Sequence, residues 1–138
     1  SGVLRELLYR AGVPANDGRV LFLGWSYKAG VGDARETPAD PLAENLIEAG
    51  VKVSTWDPYL SADDIPDGIE VIDDVDTASG FDMVVLATAH PECKDLDWQG
   101  LCARMRTPIL YDGRRVLDLD SMQEMGWKAN AVGSPNKY

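Results

Sequence analysis

Apolar and polar positions alternate along the chain in two periods, and each period predicts a different element. Between residues 3 and 11, Val3, Leu4, Leu7, Leu8 and Ala11 fall at helical spacing with Arg5, Glu6 and Arg10 opposite. Gly12 and Pro14 end that pattern, and residues 14–18 carry turn chemistry. Residues 19–24 form a short apolar run after the turn, as expected of a central parallel strand buried on both faces. Thr37 and Pro38 suit the cap and first position of a helix; Asp40 and Pro41 suit a later start. Leu42, Leu46 and Ala49 mark the buried side of that helix, and Gly50 terminates it. Residues 51–57 alternate as a second strand, closed by Pro58.

Residues 60–80 are acidic and contain one short apolar patch at 69–72. The clearest buried strand is residues 81–88. Residues 96–105 are helical by pattern, with Trp98, Leu101 and either Cys102 or Met105 facing inward. Residues 108–112 read as a further strand. Asp120 or Ser121 caps a short helix that ends at Gly126, and residues 127–132 form a last strand. Strands alternating with helices predict an α/β fold: a doubly wound, mainly parallel Rossmann-like sheet with helices on both faces. Ligands of such sheets sit beyond the carboxyl ends of the strands, so the residues just after each strand matter most.

Four strand ends carry polar chemistry. They hold Tyr27 and Lys28 with the loop Gly30-Val31-Gly32-Asp33-Ala34-Arg35; Asp57-Pro58-Tyr59; Thr88 and His90; and Asp112-Gly113-Arg114-Arg115. The whole chain of 138 residues has 13 Lys and Arg against 23 Asp and Glu, a net charge of -10. That balance opposes nucleic acid and anionic membranes as partners. It does not oppose a small anion in a local pocket, and Lys28, Arg35, Arg114 and Arg115 all lie in these loops. Gly30 and Gly32 let backbone N–H groups approach an anion, and arginine suits phosphate oxygens. Asp33 and Arg35 have a plainer alternative, pairing with each other to hold the loop. Asp57 either binds a ribose hydroxyl or shapes the turn before Pro58.

His90 is the single histidine, and Cys93 and Cys102 are the two cysteines, so neither a metal site nor a disulfide framework is expected. The cysteine usage points to a reducing cytoplasm. No run of residues is apolar enough to span a membrane. A full Gly-x-Gly-x-x-Gly cradle for a dinucleotide is also missing: Gly30-Val31-Gly32 is followed by Asp33, Ala34 and Arg35.

Leu23-Gly24-Trp25-Ser26-Tyr27-Lys28 followed by Gly32-Asp33-Ala34-Arg35-Glu36-Thr37-Pro38 resembles the signature of the UDP-glucose/GDP-mannose dehydrogenase family, in its C-terminal UDP-sugar-binding domain. The resemblance continues through residues 51–58, 84–90 and 111–116, in colinear order over roughly residues 18–133. It implies a nucleotide-sugar 6-dehydrogenase that oxidises the sugar C6 alcohol to a carboxylate using two NAD, in the service of polysaccharide biosynthesis. It implies residues 1–17 as the end of a connecting helix and linker, and 18–138 as the nucleotide-sugar domain.

By the same resemblance Tyr27, Lys28 and one of Arg114 and Arg115 contact the UDP-sugar, and Arg35 reaches toward NAD. His90 falls in a T-x-H element and is assigned a structural role. The family's NAD domain and catalytic cysteine lie in other domains, so this chain is expected to hold no catalytic residue and to be inactive alone. The full-length protein is expected to be a cytoplasmic homo-oligomer. The competing reading is a Rossmann-like binding or assembly module whose site has decayed. A receiver-type domain needs an acidic pair after the first strand, where Trp25-Ser26-Tyr27-Lys28 stands instead.

Overall fold

The computed structural model describes residues 2–133, so the last five residues of the expected 18–138 domain lie outside the described residues. Among the described residues, six parallel strands form one sheet in the order β3-β2-β1-β4-β5-β6. They are β1 (Arg19–Leu23), β2 (Lys52–Trp56), β3 (Glu70–Val71), β4 (Met83–Leu86), β5 (Ile109–Asp112) and β6 (Lys128–Ala131). Four α-helices accompany them: α1 (Val3–Arg10), α2 (Ala39–Glu48), α3 (Trp98–Arg104) and α4 (Leu119–Glu124).

The period-2 rule of strands sorts the core into two layers. Val20, Phe22, Met83, Val85, Ile109 and Tyr111 point to one face, where Leu4, Leu7 and Leu8 of α1 and Ala39, Ala43 and Leu46 of α2 cover them. Leu21, Leu23, Val84, Leu86, Leu110 and Ala129 point to the other, against Trp98 and Leu101 of α3 and Met122 of α4. Because both faces are covered, every residue of β4 and β5 is buried. The N-terminal helix packs into this core with its three leucines no more than 5% exposed. Burying a leucine contributes roughly 1.5–3 kcal/mol, so α1 is part of what stabilises the domain.

Local starts and stops differ from the sequence reading in three places. Helix α2 begins at Ala39 with Pro38 as its capping residue, and the Thr37 hydroxyl accepts the Ala39 N–H at 3.3 Å. Its buried side is Ala39, Ala43 and Leu46, with Leu42 and Ala49 half-buried. The cap of α4 is Asp118, which accepts the Ser121 N–H, so the helix starts earlier than a cap at Asp120 or Ser121 would place it. The edge strand β3 is two exposed residues inside the acidic stretch. It lies inside the apolar patch at 69–72, which is too short to carry a period; it exists by pairing to β2, with the Ser54 hydroxyl donating to Glu70 at 2.8 Å.

At the amino end of the sheet a buried carboxylate closes the fold. Asp82 accepts the Arg19 N–H (3.0 Å), the Arg106 Nε–H (2.9 Å) and the Thr107 hydroxyl (2.8 Å). Burial works to raise its pKa, but the Arg106 guanidinium, Thr107 and the Arg19 N–H outweigh that and hold it below the usual range.

Candidate functional site

From β1 the chain builds outward through β2 to β3, then returns to the other side of β1 and builds outward through β4, β5 and β6. The connections after β1 and β4 therefore lead away from each other, and a crevice opens beyond the carboxyl ends at such a point. Gly24 makes the crevice possible here. Its φ is +90°, and a side-chain Cβ would lie 2.5–2.9 Å from Thr88 atoms beyond β4. Only glycine lets the two strand ends approach this closely.

A cleft of about 140 Å³ occupies the crevice. Tyr27 and Lys28 line it from the loop after β1, Ala87 and Thr88 from the end of β4, and Arg114 and Val116 from the loop after β5. Two cations and one aromatic ring from separated parts of the chain therefore share one small concave surface. The two adjacent arginines part company. Asp112, fully buried, accepts the N–H groups of Arg114 (2.9 Å), Val116 (2.8 Å) and Leu117 (2.7 Å), folding a tight turn. In that turn Arg115 takes φ +56°, an uncommon conformation for a side-chain-bearing residue. Its guanidinium donates to the Val132 carbonyl at 2.8 Å, beyond β6. Arg114 is the arginine that lines the cleft.

Arg35 stands apart from this cleft, on an open hollow shared with Tyr27, Asp33 and Glu36. It donates to Asp33 through Nε at 3.0 Å and Nη2 at 2.8 Å, and its backbone N–H also reaches Asp33 at 2.9 Å. The pairing of Asp33 with Arg35 weighed from the sequence is thus the observed geometry. These bonds lower the Asp33 pKa to about 2. The Arg35 side chain remains 89% exposed.

The glycine loop is built otherwise than an anion cradle. The Gly30 N–H donates to His90 Nδ1 at 2.8 Å, so it does not point at a free anion. At Gly32 a Cβ would overlap the Tyr59 carbonyl oxygen. Gly32 serves close packing against the segment that follows β2, whereas Gly30 has open space around it and serves a backbone turn at φ +73°.

Behind the loop lies a polar hub that the sequence showed only in pieces. Asp57 Oδ2 accepts the Trp25 N–H and the Ser26 N–H at 2.8 Å, the Ser26 hydroxyl at 2.7 Å and His90 Nε2–H at 2.9 Å. Asp57 Oδ1 accepts the Tyr59 N–H at 2.9 Å. Burial works to raise the Asp57 pKa, and the Ser26 hydroxyl, the Trp25 N–H and His90 outweigh it and lower it. The Thr88 hydroxyl donates to the Ser26 carbonyl at 2.7 Å, tying the end of β4 to the same loop. Of the two readings of Asp57, the turn-shaping one matches this geometry: its oxygens are taken by protein donors. Sequence reasoning missed Ser26. Its signal is a polar residue at an apolar strand end, which has to be satisfied where it is buried.

Cys93 is buried, with burial pushing its thiol up to about 12, and burial raises Cys102 as well. Neither is a thiolate nucleophile near neutral pH. Among the described residues no group of His, Cys, Asp and Glu could hold a metal ion, and no helix is long and apolar enough to cross a membrane.

Residues 21–119, well over half of the chain, match the sequence model described as the UDP-glucose/GDP-mannose dehydrogenase family, UDP binding domain. A UDP-N-acetyl-D-mannosamine dehydrogenase of Pyrococcus horikoshii is 32% identical over 117 residues, covering 85% of this chain and 26% of that protein. A UDP-glucose 6-dehydrogenase of Rickettsia conorii is 33% identical over 121 residues, covering 83% of this chain and 28% of that protein. The solved structure of a UDP-D-ManNAc dehydrogenase from Pyrococcus horikoshii superposes with a TM-score of 0.78 at 29% identity, over 96% of this chain and 29% of that one. The chain spans about a quarter of the length of the curated relatives it matches.

Proposed function

The chain belongs to the UDP-glucose/GDP-mannose dehydrogenase family, and on that premise we propose that its cleft binds the diphosphate of a UDP-sugar. The observation that carries this reading is the meeting of Tyr27, Lys28 and Arg114 on one cleft at the point where the strand order reverses. Lys28 supplies a point charge and Arg114 a planar fork of donors, a pair suited to adjacent phosphate groups. The exposed Tyr27 ring flanks them. Arg115 orients the turn that presents Arg114.

In the full-length enzyme we assign this domain to a nucleotide-sugar 6-dehydrogenase. The reaction oxidises the sugar C6 alcohol to a carboxylate, a four-electron change: two NAD, when bound, would take up one hydride each, and water would supply the second carboxylate oxygen. This chain's part is to bind and orient the nucleotide end of the substrate. For NAD it offers Arg35: Asp33 occupies Nε and Nη2, which leaves the Nη1 donors for one phosphate oxygen. The sequence has no glycine cradle for a pyrophosphate. The reading carries with it a catalytic thiol outside this chain, an inactive fragment and a cytoplasmic, homo-oligomeric parent.

Titrating UDP into the 138-residue chain while following backbone amide shifts tests the binding step. The expected perturbations fall at residues 27–29, 87–89 and 113–116. Lys28→Ala is expected to weaken binding tenfold or more, since a hydrogen bond to a charged group contributes about 1.5–3 kcal/mol. No perturbation in these segments at millimolar UDP would sink the reading and favour a non-catalytic assembly module.

A further inference from the structure

We infer that His90 is the positioning residue of the cleft, the group that fixes the backbone carrying Tyr27 and Lys28. The role deepens the UDP-binding reading and rests on it for its ligand.

Besides the Tyr27 N–H bond to the Asp33 carbonyl and the Thr37 and Thr88 hydroxyls on the Ser26 carbonyl, the loop after β1 is gripped by two polar side chains. Asp57 grips its start, through the N–H groups of Trp25 and Ser26 and the Ser26 hydroxyl. His90 grips its middle, by accepting the Gly30 N–H. Tyr27 and Lys28 lie between these two anchors, and both line the cleft. Without the second anchor the backbone just after Lys28 loses its side-chain restraint, and the Tyr27 N–H bond to the Asp33 carbonyl is left to hold the loop across.

The geometry also sets the protonation pattern of the ring. Because Nδ1 accepts from Gly30, the ring proton sits on Nε2, where it is donated to Asp57. Asp57 thus selects the tautomer that receives Gly30, and one carboxylate controls both anchors. The ring is 1% exposed and Tyr59 stacks on it with centroids 4.3 Å apart. The Tyr59 hydroxyl itself donates to the Glu92 carboxylate at 2.9 Å. The imidazole therefore has one orientation, and neither of its nitrogens is free to touch a ligand.

Two variants separate the two ring functions. In His90→Asn, the amide oxygen stands near the position of Nδ1 and still accepts Gly30, while contact with Asp57 is lost. In His90→Gln, the amide nitrogen reaches toward Asp57, while the acceptor for Gly30 is lost. Both remove the ring, so both lose thermal stability. Two readouts are taken: UDP affinity by calorimetry, and hydrogen exchange of the Gly30 amide in the ligand-free protein.

The expected result is UDP binding within about threefold of wild type for His90→Asn. His90→Gln is expected to lose tenfold or more and to show Gly30 exchange at least tenfold faster than His90→Asn. Equal Gly30 exchange in the two variants, or equal loss of affinity tracking their melting temperatures, overturns the positioning role. Should wild type itself fail to bind UDP, the proposed function falls. The exchange comparison then still decides the role of His90 in holding the loop.

Discussion

Asp82 and Asp57 are buried at opposite ends of the sheet, and the protein neutralises them in different ways. At the amino end Asp82 is met by a permanent cation, Arg106, together with Thr107 and a backbone N–H. Acid and base pair there, and Arg106 also meets Asp17 at 3.5 Å. At the carboxyl end Asp57 is met by backbone N–H groups, a serine hydroxyl and an imidazole N–H, with no Lys or Arg side chain among these partners. Asp112, buried at the same end, is likewise held by three backbone N–H groups. Of the cations of that end, Lys28 and Arg114 line the cleft, while Arg35 pairs with Asp33 and Arg115 donates to the Val132 carbonyl. The contrast fits the proposed diphosphate site: the buried carboxylates near the cleft, Asp57 and Asp112, are stabilised by neutral donors, and Lys28 and Arg114 are not spent on them.

The sharpest way to break this comparison is to remove each carboxylate in turn. Asp57→Ala leaves five donor contacts unmade, and is expected to cost about 4 kcal/mol in urea unfolding and to abolish UDP binding. Asp82→Ala is expected to cost about 3 kcal/mol, as for breaking a buried ion pair, with UDP binding by the folded fraction unchanged. If Asp82→Ala weakened binding as much as Asp57→Ala, the two ends would not be functionally distinct.

Acid provides a milder test. Both aspartates have pKa values lowered by folding, so the unfolded chain takes up protons first as pH falls. Their stabilisation is present above the unfolded value of about 3.9 and is lost as pH drops through the folded values. Stability measured by urea unfolding should therefore fall steadily below about pH 4. Asp82→Asn should flatten that fall, and an unchanged slope would remove Asp82 from the account.

The smallest effect separates the neighbouring arginines. Arg114→Ala is expected to weaken UDP binding about tenfold or more with little change in stability, because its charge faces the cleft. Arg115→Ala is expected to lose about 1 kcal/mol or less of stability, since the exposed bond to Val132 goes, and to bind UDP nearly as wild type does. The reverse pattern in a calorimetric titration would exchange their assignments.

Much of the fold is legible in the sequence because burial leaves a periodic trace. The apolar runs at residues 19–24, 81–88 and 108–112 contain β1, β4 and β5, each shorter than its run: β1 stops before Gly24, β5 starts after Pro108, and β4 is trimmed at both ends. The helix at residues 3–11 is legible from its leucines for the same reason. Edge strand β3 is legible only as the short apolar patch at 69–72, since both its residues are exposed and pairing to β2 defines it. The start of α2 is ambiguous in sequence because two prolines offer two starts, and the Thr37 hydroxyl settles it by accepting from Ala39.

The candidate site divides along the same line. Which residue types stand after each strand is a local property, and it marks Tyr27, Lys28, Arg35, Arg114 and Arg115 in the sequence. Which of them share a surface depends on strand order. That order sets β1 between β2 and β4 and so brings Asp57 and His90, 33 residues apart, to one hydrogen bond. No local pattern encodes that meeting, nor the turn at Asp112 that sends Arg114 to the cleft and Arg115 to Val132. The sequence by itself determined the elements, the two-sided core and the family, because hydrophobic period and strand-end motifs are written along the chain. Only the tertiary structure decided which polar groups satisfy one another and which line the cleft, because buried donors and acceptors choose their partners across space.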